Sequence, residues 1–284
     1  IMNLYAINNG NFMLDGGAMF GVVPKSIWSR TNPTDANNMC PWAMRSLLIE
    51  DGNRLILIDC GMGDKQSEKF YGYYFLHGDD SLDKGLKSRG FHRDDITDVF
   101  LTHLHFDHCG GAIRLEGEKF VPAFKNARFW SNDLHWKWAT EPNKREKASF
   151  LSENILPIKE SGQLEMIEKT GRFSNSPFED MDIELFFADG HTEAQMIPLI
   201  TYKDKKIAFM ADLLPSTGHI PLPYVMGYDT RPLLTLDEKG LFLTKAADEE
   251  IILYLEHDSM TECCTVKHTE KGVRLDQTFK LSEI

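Results

Sequence analysis

The 284-residue sequence has no apolar run of membrane-spanning length, no CxxC pair, no low-complexity tract and no excess of basic residues. Its apolar stretches, such as Ile251 to Leu255, are strand-length and end within a few residues, so no transmembrane helix is expected. Positive charge is scarce: 31 Lys and Arg stand against 43 Asp and Glu, for a net charge of −12. The acidic residues are spread rather than blocked. Such a surface repels polyanions, and neither nucleic acid nor an anionic membrane is expected as a partner. The five cysteines are odd in number, with Cys263 and Cys264 adjacent, and form no disulfide framework. A reducing cytoplasm is the expected compartment. The start, Ile1-Met2-Asn3-Leu4, shows no basic segment ahead of an apolar core, so no signal peptide is expected. No repeat and no Gly/Ser-rich linker divides the chain, and a single domain over residues 1–284 is expected.

Against these absences stands a regular alternation of apolar runs and turns. Ser46 to Glu50 and Arg54 to Asp59 flank Asp51-Gly52-Asn53, which predicts a hairpin. Ile96 to Thr102 predicts a strand that ends where histidines begin. From about Asn126 to Gly171 charged residues alternate with Trp130, Leu134, Trp138, Phe150 and Ile155 at helical spacing, which predicts a helical insertion near residues 126–171. Strands resume at Ile183 to Ala188, Ile197 to Tyr202, Lys206 to Ala211 and Ile251 to Glu256. Thr235 with Glu238 three residues later predicts a capping box opening a helix to about Asp248. Strands with helices outside them imply a layered α/β architecture.

The chemistry gathers in His103-Leu104-His105-Phe106-Asp107-His108. Residues 103 and 105 lie two apart, so in an extended segment both imidazoles point to one side, as a zinc site requires. Asp107 and His108 follow where the chain turns toward a helix, and Gly110 and Gly111 allow close backbone packing. Three further groups each follow an apolar strand: His191, Asp212 and His257. Seven such groups suit two adjacent metals: His103, His105 and His191 on one, Asp107, His108 and His257 on the other. Asp212 bridges them, since a carboxylate has two oxygens. Zinc is the expected metal, two ions per chain, and iron, manganese or cobalt suit the same donors.

The HxHxDH pattern at 103–108 and the three later ligands resemble the metallo-β-lactamase superfamily. The resemblance implies an α/β fold of αββα four-layer sandwich type, with the metals at one edge. It also implies that Asp59, in Leu57-Ile58-Asp59-Cys60-Gly61, orients the ligand loop without being a ligand. The implied reaction is hydrolysis by a metal-bridging hydroxide, with Asp107 a candidate for handling a proton. β-Lactamases proper resemble the chain poorly, because Cys commonly stands where this chain has Asp212. Flavodiiron proteins carry Glu at the position of His105. Members that process RNA need a basic surface that this chain lacks.

Within the superfamily the sequence resembles the N-acyl-homoserine lactonases, the quorum-quenching enzymes, and the methyl-parathion-type hydrolases related to them. Residues 11–25, 145–157, Asp212-Leu213-Leu214-Pro215 and Met226-Gly227-Tyr228-Asp229 carry that resemblance. It implies a lactone or ester substrate with an acyl tail, a metal-dependent hydrolase acting on carboxylic esters, and a homodimer. The alternative is an organophosphate triesterase or arylesterase on the same metals. Met19 and Phe20, with Trp138 and Phe150, are candidates to line an apolar groove for the tail. Related lactonases hold the lactone carbonyl with a Tyr near the bridging Asp. Here the loop after Asp212 offers His219, Tyr224 and Tyr228, and His219 is preferred as the nearest, preceded by Ser-Thr-Gly.

Overall fold

The computed structural model describes residues 1–284 and divides them into two compact units. The first holds residues 1–10 and 44–170, the second residues 11–43 and 171–284. Two 13-residue strands, β1 (Asn3–Asp15) and β2 (Met39–Asp51), have residues in both. Between them lie the short helices α1 (Gly16–Phe20) and α2 (Lys25–Trp28). No helix is long and apolar enough to cross a membrane.

In the first unit β2 turns back into β3 (Arg54–Ile58), antiparallel, with Asp51 opposite Arg54 and the two residues Gly52 and Asn53 at the bend. Helices α3 (Glu68–Gly72) and α4 (Leu82–Ser88) then carry the chain over to β4 (Asp98–Phe100), parallel to β3. Parallel neighbours need such a crossover. After the turn α5 (Phe106–Cys109) come a small hairpin, β5 (Ile113–Glu116) and β6 (Lys119–Pro122), and then β7 (Arg128–Ser131), parallel to β4. Helices α6 (Asp133–Thr140) and α7 (Ser152–Glu160) lead to β8 (Leu164–Met166), parallel to β7. The sheet order is β1-β2-β3-β4-β7-β8. The segment expected to be a helical insertion therefore contains its two helices, but its ends are sheet strands. Phe129 is fully buried in β7, a strand too short to show its own periodicity among the surrounding charges.

The second unit's sheet contains β9 (Phe173–Asn175), β10 (Ile183–Ala188), β11 (Gln195–Tyr202), β12 (Lys205–Phe209), β13 (Ile252–Tyr254), β14 (Cys263–Thr269) and β15 (Gly272–Phe279). They lie in the order β15-β14-β13-β12-β11-β10-β9. Helix α8 (Pro232–Asp248) is the crossover between the parallel pair β12 and β13. Its start corrects the capping-box expectation. Pro232 opens the helix after Arg231, as proline favours the first helical position. Glu238 instead sits a turn and a half inside, where its carboxylate accepts the backbone N–H groups of Asp189 at 2.7 Å and Gly190 at 2.9 Å. Since β10 and β12 are each antiparallel to β11, strands β10, β12 and β13 all run the same way. Their carboxyl ends share one edge of the sheet, and His191, Asp212 and His257 follow those ends.

Candidate metal centre

In the first unit β3 and β4 are parallel, so the residues just beyond them, Asp59 and Thr102, meet at one edge. Asp59 adopts φ +54°, a left-handed conformation that Asp tolerates better than most residues. Its Oδ1 accepts the N–H of Thr102 at 2.8 Å. Its Oδ2 accepts the Thr102 hydroxyl at 2.7 Å and faces His108 Nδ1 at 2.9 Å. The Thr102 hydroxyl proton is thereby committed to Asp59. The hydroxyl oxygen, 3.1 Å from His103 Nδ1, is left to accept a proton from that ring. One carboxylate thus sets two rings, His108 directly and His103 through Thr102, with Nε2 of each turned toward the ligand side. The His103 ring centre lies 4.6 Å from that of His105 and 4.0 Å from that of His108.

His105 is held the other way round. Its Nε2 meets Glu146 Oε1 at 3.2 Å, which leaves Nδ1 as the donor atom. Phe150 packs on the His105 ring at 4.7 Å, and the Leu104 N–H donates to His135 Nε2 at 2.8 Å. Asp107, with 14% of its side chain exposed, has Oδ2 3.5 Å from His108 Nε2. The helix turn that carries Asp107 and His108 packs tightly against the Asp59 loop. A Cβ on Gly110 would lie 2.2 Å from the Met62 carbonyl oxygen, and one on Gly111 would lie 2.1 Å from that of Cys60. Cys109 is buried, donates to the Leu104 carbonyl and is pushed up to about 12 by burial, so it stays a packed thiol.

The second unit carries a group of candidate ligands of its own. Asp212 sits between two imidazoles, with Oδ2 3.0 Å from His191 Nε2 and Oδ1 3.1 Å from His257 Nε2. Both rings are set from behind: His191 Nδ1 by Asp229 at 2.8 Å, and His257 Nδ1 by the Ala43 carbonyl at 2.7 Å. Ala211, at φ +41°, turns the chain so that Asp212 leaves β12 toward its neighbours, and Gln195 accepts the Asp212 N–H at 2.9 Å. Burial works against charge on His191, yet Asp212 and Asp229 outweigh it and push the imidazole up to about 10. Two carboxylates about one ring favour positive charge at that place, as a cation site does.

Donor chemistry is the test of fit for metal. All five imidazoles have one ring nitrogen engaged by an oxygen outside the candidate ligand set, so each has the other nitrogen defined for a metal. Within the units, His103 with His105, Asp107 with His108, and His191 with Asp212 offer ligand atoms within 4.8 Å of one another. These His/Asp clusters fit zinc or a similar borderline metal.

The sequence matches the family model described as the metallo-beta-lactamase superfamily over residues 45–254. This chain belongs to the metallo-β-lactamase superfamily. Its fold is the one expected from the ligand pattern. The N-acyl homoserine lactonase AiiA of Bacillus thuringiensis subsp. kurstaki is 30% identical in an alignment of 121 residues that covers 39% of this chain. The chain spans 44% of the length of that curated relative. A crystal structure of a probable metal-dependent hydrolase from Staphylococcus aureus is similar with a TM-score of 0.86 at 28% identity, covering 98% of this chain and 96% of that one. AidC, a dizinc quorum-quenching lactonase solved with a product, shares the fold with a TM-score of 0.79 at 20% identity, over 98% of this chain and 95% of AidC.

The candidate substrate contacts fare differently from the candidate ligands. His219 is 1% exposed, and both its ring nitrogens are engaged, Nδ1 by Ser216 at 2.7 Å and Nε2 by the Met19 carbonyl at 2.8 Å. Burial pushes it down to about 3. Neither nitrogen is offered to a substrate, which corrects the role expected of it. Phe20 is fully buried between Trp28 at 5.1 Å and His219 at 4.3 Å, and Met19 is 2% exposed. The glycines at 16 and 17 open a short helix, with Asp15 accepting the Ala18 N–H, rather than an exposed loop. Met19 and Phe20 therefore belong to the core of the second unit. Trp138 and Phe150 surround His105 and Glu146.

The sequence reading missed an aromatic group beside the ligand motif. Phe70 and Tyr74 pack on Phe106 at 5.3 and 4.8 Å. Burial, with a smaller contribution from Asp107, pushes the Tyr74 phenol up to about 12, so it stays protonated. The run Phe70-Tyr71-Gly72-Tyr73-Tyr74-Phe75-Leu76 was its only signal, one that periodicity does not pick out.

Proposed function

We propose that this chain is a dinuclear-metal hydrolase that opens the lactone ring of N-acyl-homoserine lactones, and that both units act as one domain. The ligand set is His103, His105 and His191 for one zinc, Asp107, His108 and His257 for the other, with Asp212 on both. The observation that carries the reading is the set of five imidazoles, each with one nitrogen committed to an oxygen partner. Such prior orientation is what a metal site needs and what a core of satisfied histidines does not. The chemistry a bound zinc pair supplies is Lewis acidity, which activates water near neutral pH and polarises an ester carbonyl.

The chain's own groups do the rest. Asp107 is more exposed than the 9%-exposed Asp212, which supports assigning it the proton that the attacking water gives up and the departing alkoxide takes. Phe70, Tyr74 and Phe106 offer an apolar surface next to Asp107, suited to an acyl tail. The lactone reading draws on the similarity to AiiA and AidC, each of which is described as a lactonase.

The test is turnover of butanoyl-, hexanoyl- and decanoyl-homoserine lactones by zinc-loaded protein, followed by acid release, beside a paraoxon-type triester and an aryl ester. Lactone opening that disappears in Asp212→Ala is expected. Absence of lactone turnover, or faster hydrolysis of the triester, would overturn the lactonase reading in favour of the organophosphate one.

A further inference from the structure

Glu146 is 3% exposed, and three nitrogen groups converge on its carboxylate. Oε2 accepts from the Trp138 indole at 2.6 Å and from the Asn143 amide at 2.5 Å. The amide's orientation is fixed, because Asn143 Oδ1 accepts the N–H groups of Arg145 at 2.9 Å and Glu146 at 3.0 Å. Oε1 faces His105 Nε2 at 3.2 Å. Among the five imidazoles His105 is the one whose Nε2 faces an oxygen outside the candidate ligand set, whereas in the other four Nδ1 faces such an oxygen.

We infer that Glu146 is a positioning residue that fixes both the ring plane and the tautomer of His105, so that Nδ1 is the metal-binding atom. The inference rests on the reading of His105 as a ligand. A carboxylate only accepts, so it holds the proton on Nε2 and leaves the Nδ1 lone pair free of it. The anchors on Oε2 keep Glu146 from turning away, and Phe150 closes the other side of the ring.

A role as a mere staple of the loop between α6 and α7 makes a different prediction from a role in orienting His105. In Glu146→Gln the shape is kept, but one oxygen becomes an NH2 group. Trp138 and Asn143 are both donors, so the remaining oxygen must face them, and the NH2 must face His105. That forces Nε2 to accept and moves the ring proton to Nδ1, the atom needed for metal. The staple survives and the ligand is inverted.

The experiment measures two quantities. The first is the His105 tautomer, from imidazole 15N shifts in metal-free protein. The second is zinc affinity by chelator competition, in wild type, Glu146→Gln and Trp138→Phe. Wild type is expected to show the proton on Nε2 and to bind two zinc ions. Glu146→Gln should keep the far-UV spectrum, move the proton to Nδ1 and bind the zinc assigned to His103, His105 and His191 about 10- to 100-fold less tightly. Trp138→Phe, which leaves the Oε1 contact in place, should retain the wild-type tautomer. An unchanged tautomer and affinity in Glu146→Gln would overturn the inference while leaving the metal site standing. Failure of wild type to bind zinc would overturn the site itself, and the tautomer readout still decides what Glu146 does.

Discussion

His108 Nδ1 lies 2.9 Å from Asp59 Oδ2, and both side chains are completely buried. The same carboxylate holds the N–H and hydroxyl of Thr102, so a single group organises the entry to the histidine motif. Asp59→Asn should separate orientation from backbone strain, because Asn also tolerates the φ of +54° found there. The amide keeps one acceptor for three donors. Zinc affinity should fall by about 10- to 100-fold. Folding stability should fall by about 1–3 kcal/mol, the cost of a buried donor left without its acceptor. Chelator competition and urea denaturation check the two effects separately. Wild-type affinity in the variant would show that the rings are held by packing alone.

Asp212 has a different signature, because its two oxygens serve two different histidines. Its loss should affect both metals rather than one. Asp212→Ala is expected to retain fewer than two zinc ions per chain by elemental analysis and to lose at least about 100-fold in kcat/KM. Asp229→Ala should be milder, because it removes only the support behind His191. If Asp212→Ala retained two ions at wild-type affinity, the bridging role would be untenable.

The candidate ligands stand out in the sequence because they obey two local rules. They sit directly after apolar strands, and their side-chain types have few other uses at such spacing. Asp59 was legible for the first reason. Thr102, Glu146 and Asp229 were not, since each depends on a hydrogen bond to a residue that only folding brings near: Asp59, His105 and His191. The same limit affected the fold. The hairpin of β2 and β3 announces itself through Asp51-Gly52-Asn53, whereas β7 and β8 are short strands whose neighbours lie far along the chain. His219 misled because position after Asp212 says nothing about which way a ring faces. Its stacking on Phe20, a residue about 200 positions away, decides that.

Phe70, Tyr74 and Phe106 make a prediction about selectivity rather than rate. If the acyl tail lies on these rings, each methylene that they cover contributes about 0.8 kcal/mol, close to a fourfold change in affinity. Phe70→Ala should therefore raise KM for decanoyl-homoserine lactone while changing KM for the butanoyl compound little, with kcat nearly constant for both. Steady-state kinetics on the two substrates checks it. An equal rise for both tails would place the chain's tail elsewhere.

The loop after Asp212 should respond to pH in two separate windows. Burial pushes His219 from an ordinary 6.5 down to about 3, and Lys239 from 10.5 down to about 7. Lys239 Nζ donates to the carbonyls of His219 at 2.9 Å and Tyr224 at 2.8 Å, so both groups pin the same loop. In each case the unfolded chain takes up a proton before the folded one does, and stability therefore falls as pH falls. For His219 the loss runs from about 6.5 toward 3, and for Lys239 from about 10.5 toward 7. His219→Leu and Lys239→Met should each be less stable at the pH where the wild-type group is neutral, because hydrogen bonds are lost. Each should also flatten the pH dependence of the urea midpoint in its own window and leave the other window unchanged. Comparing variant with wild type removes the carboxylate titrations common to both. A wild-type slope in His219→Leu between pH 6.5 and 3 would mean that the ring is protonated in the folded loop, and its place between Ser216 and Met19 would need to be reassigned.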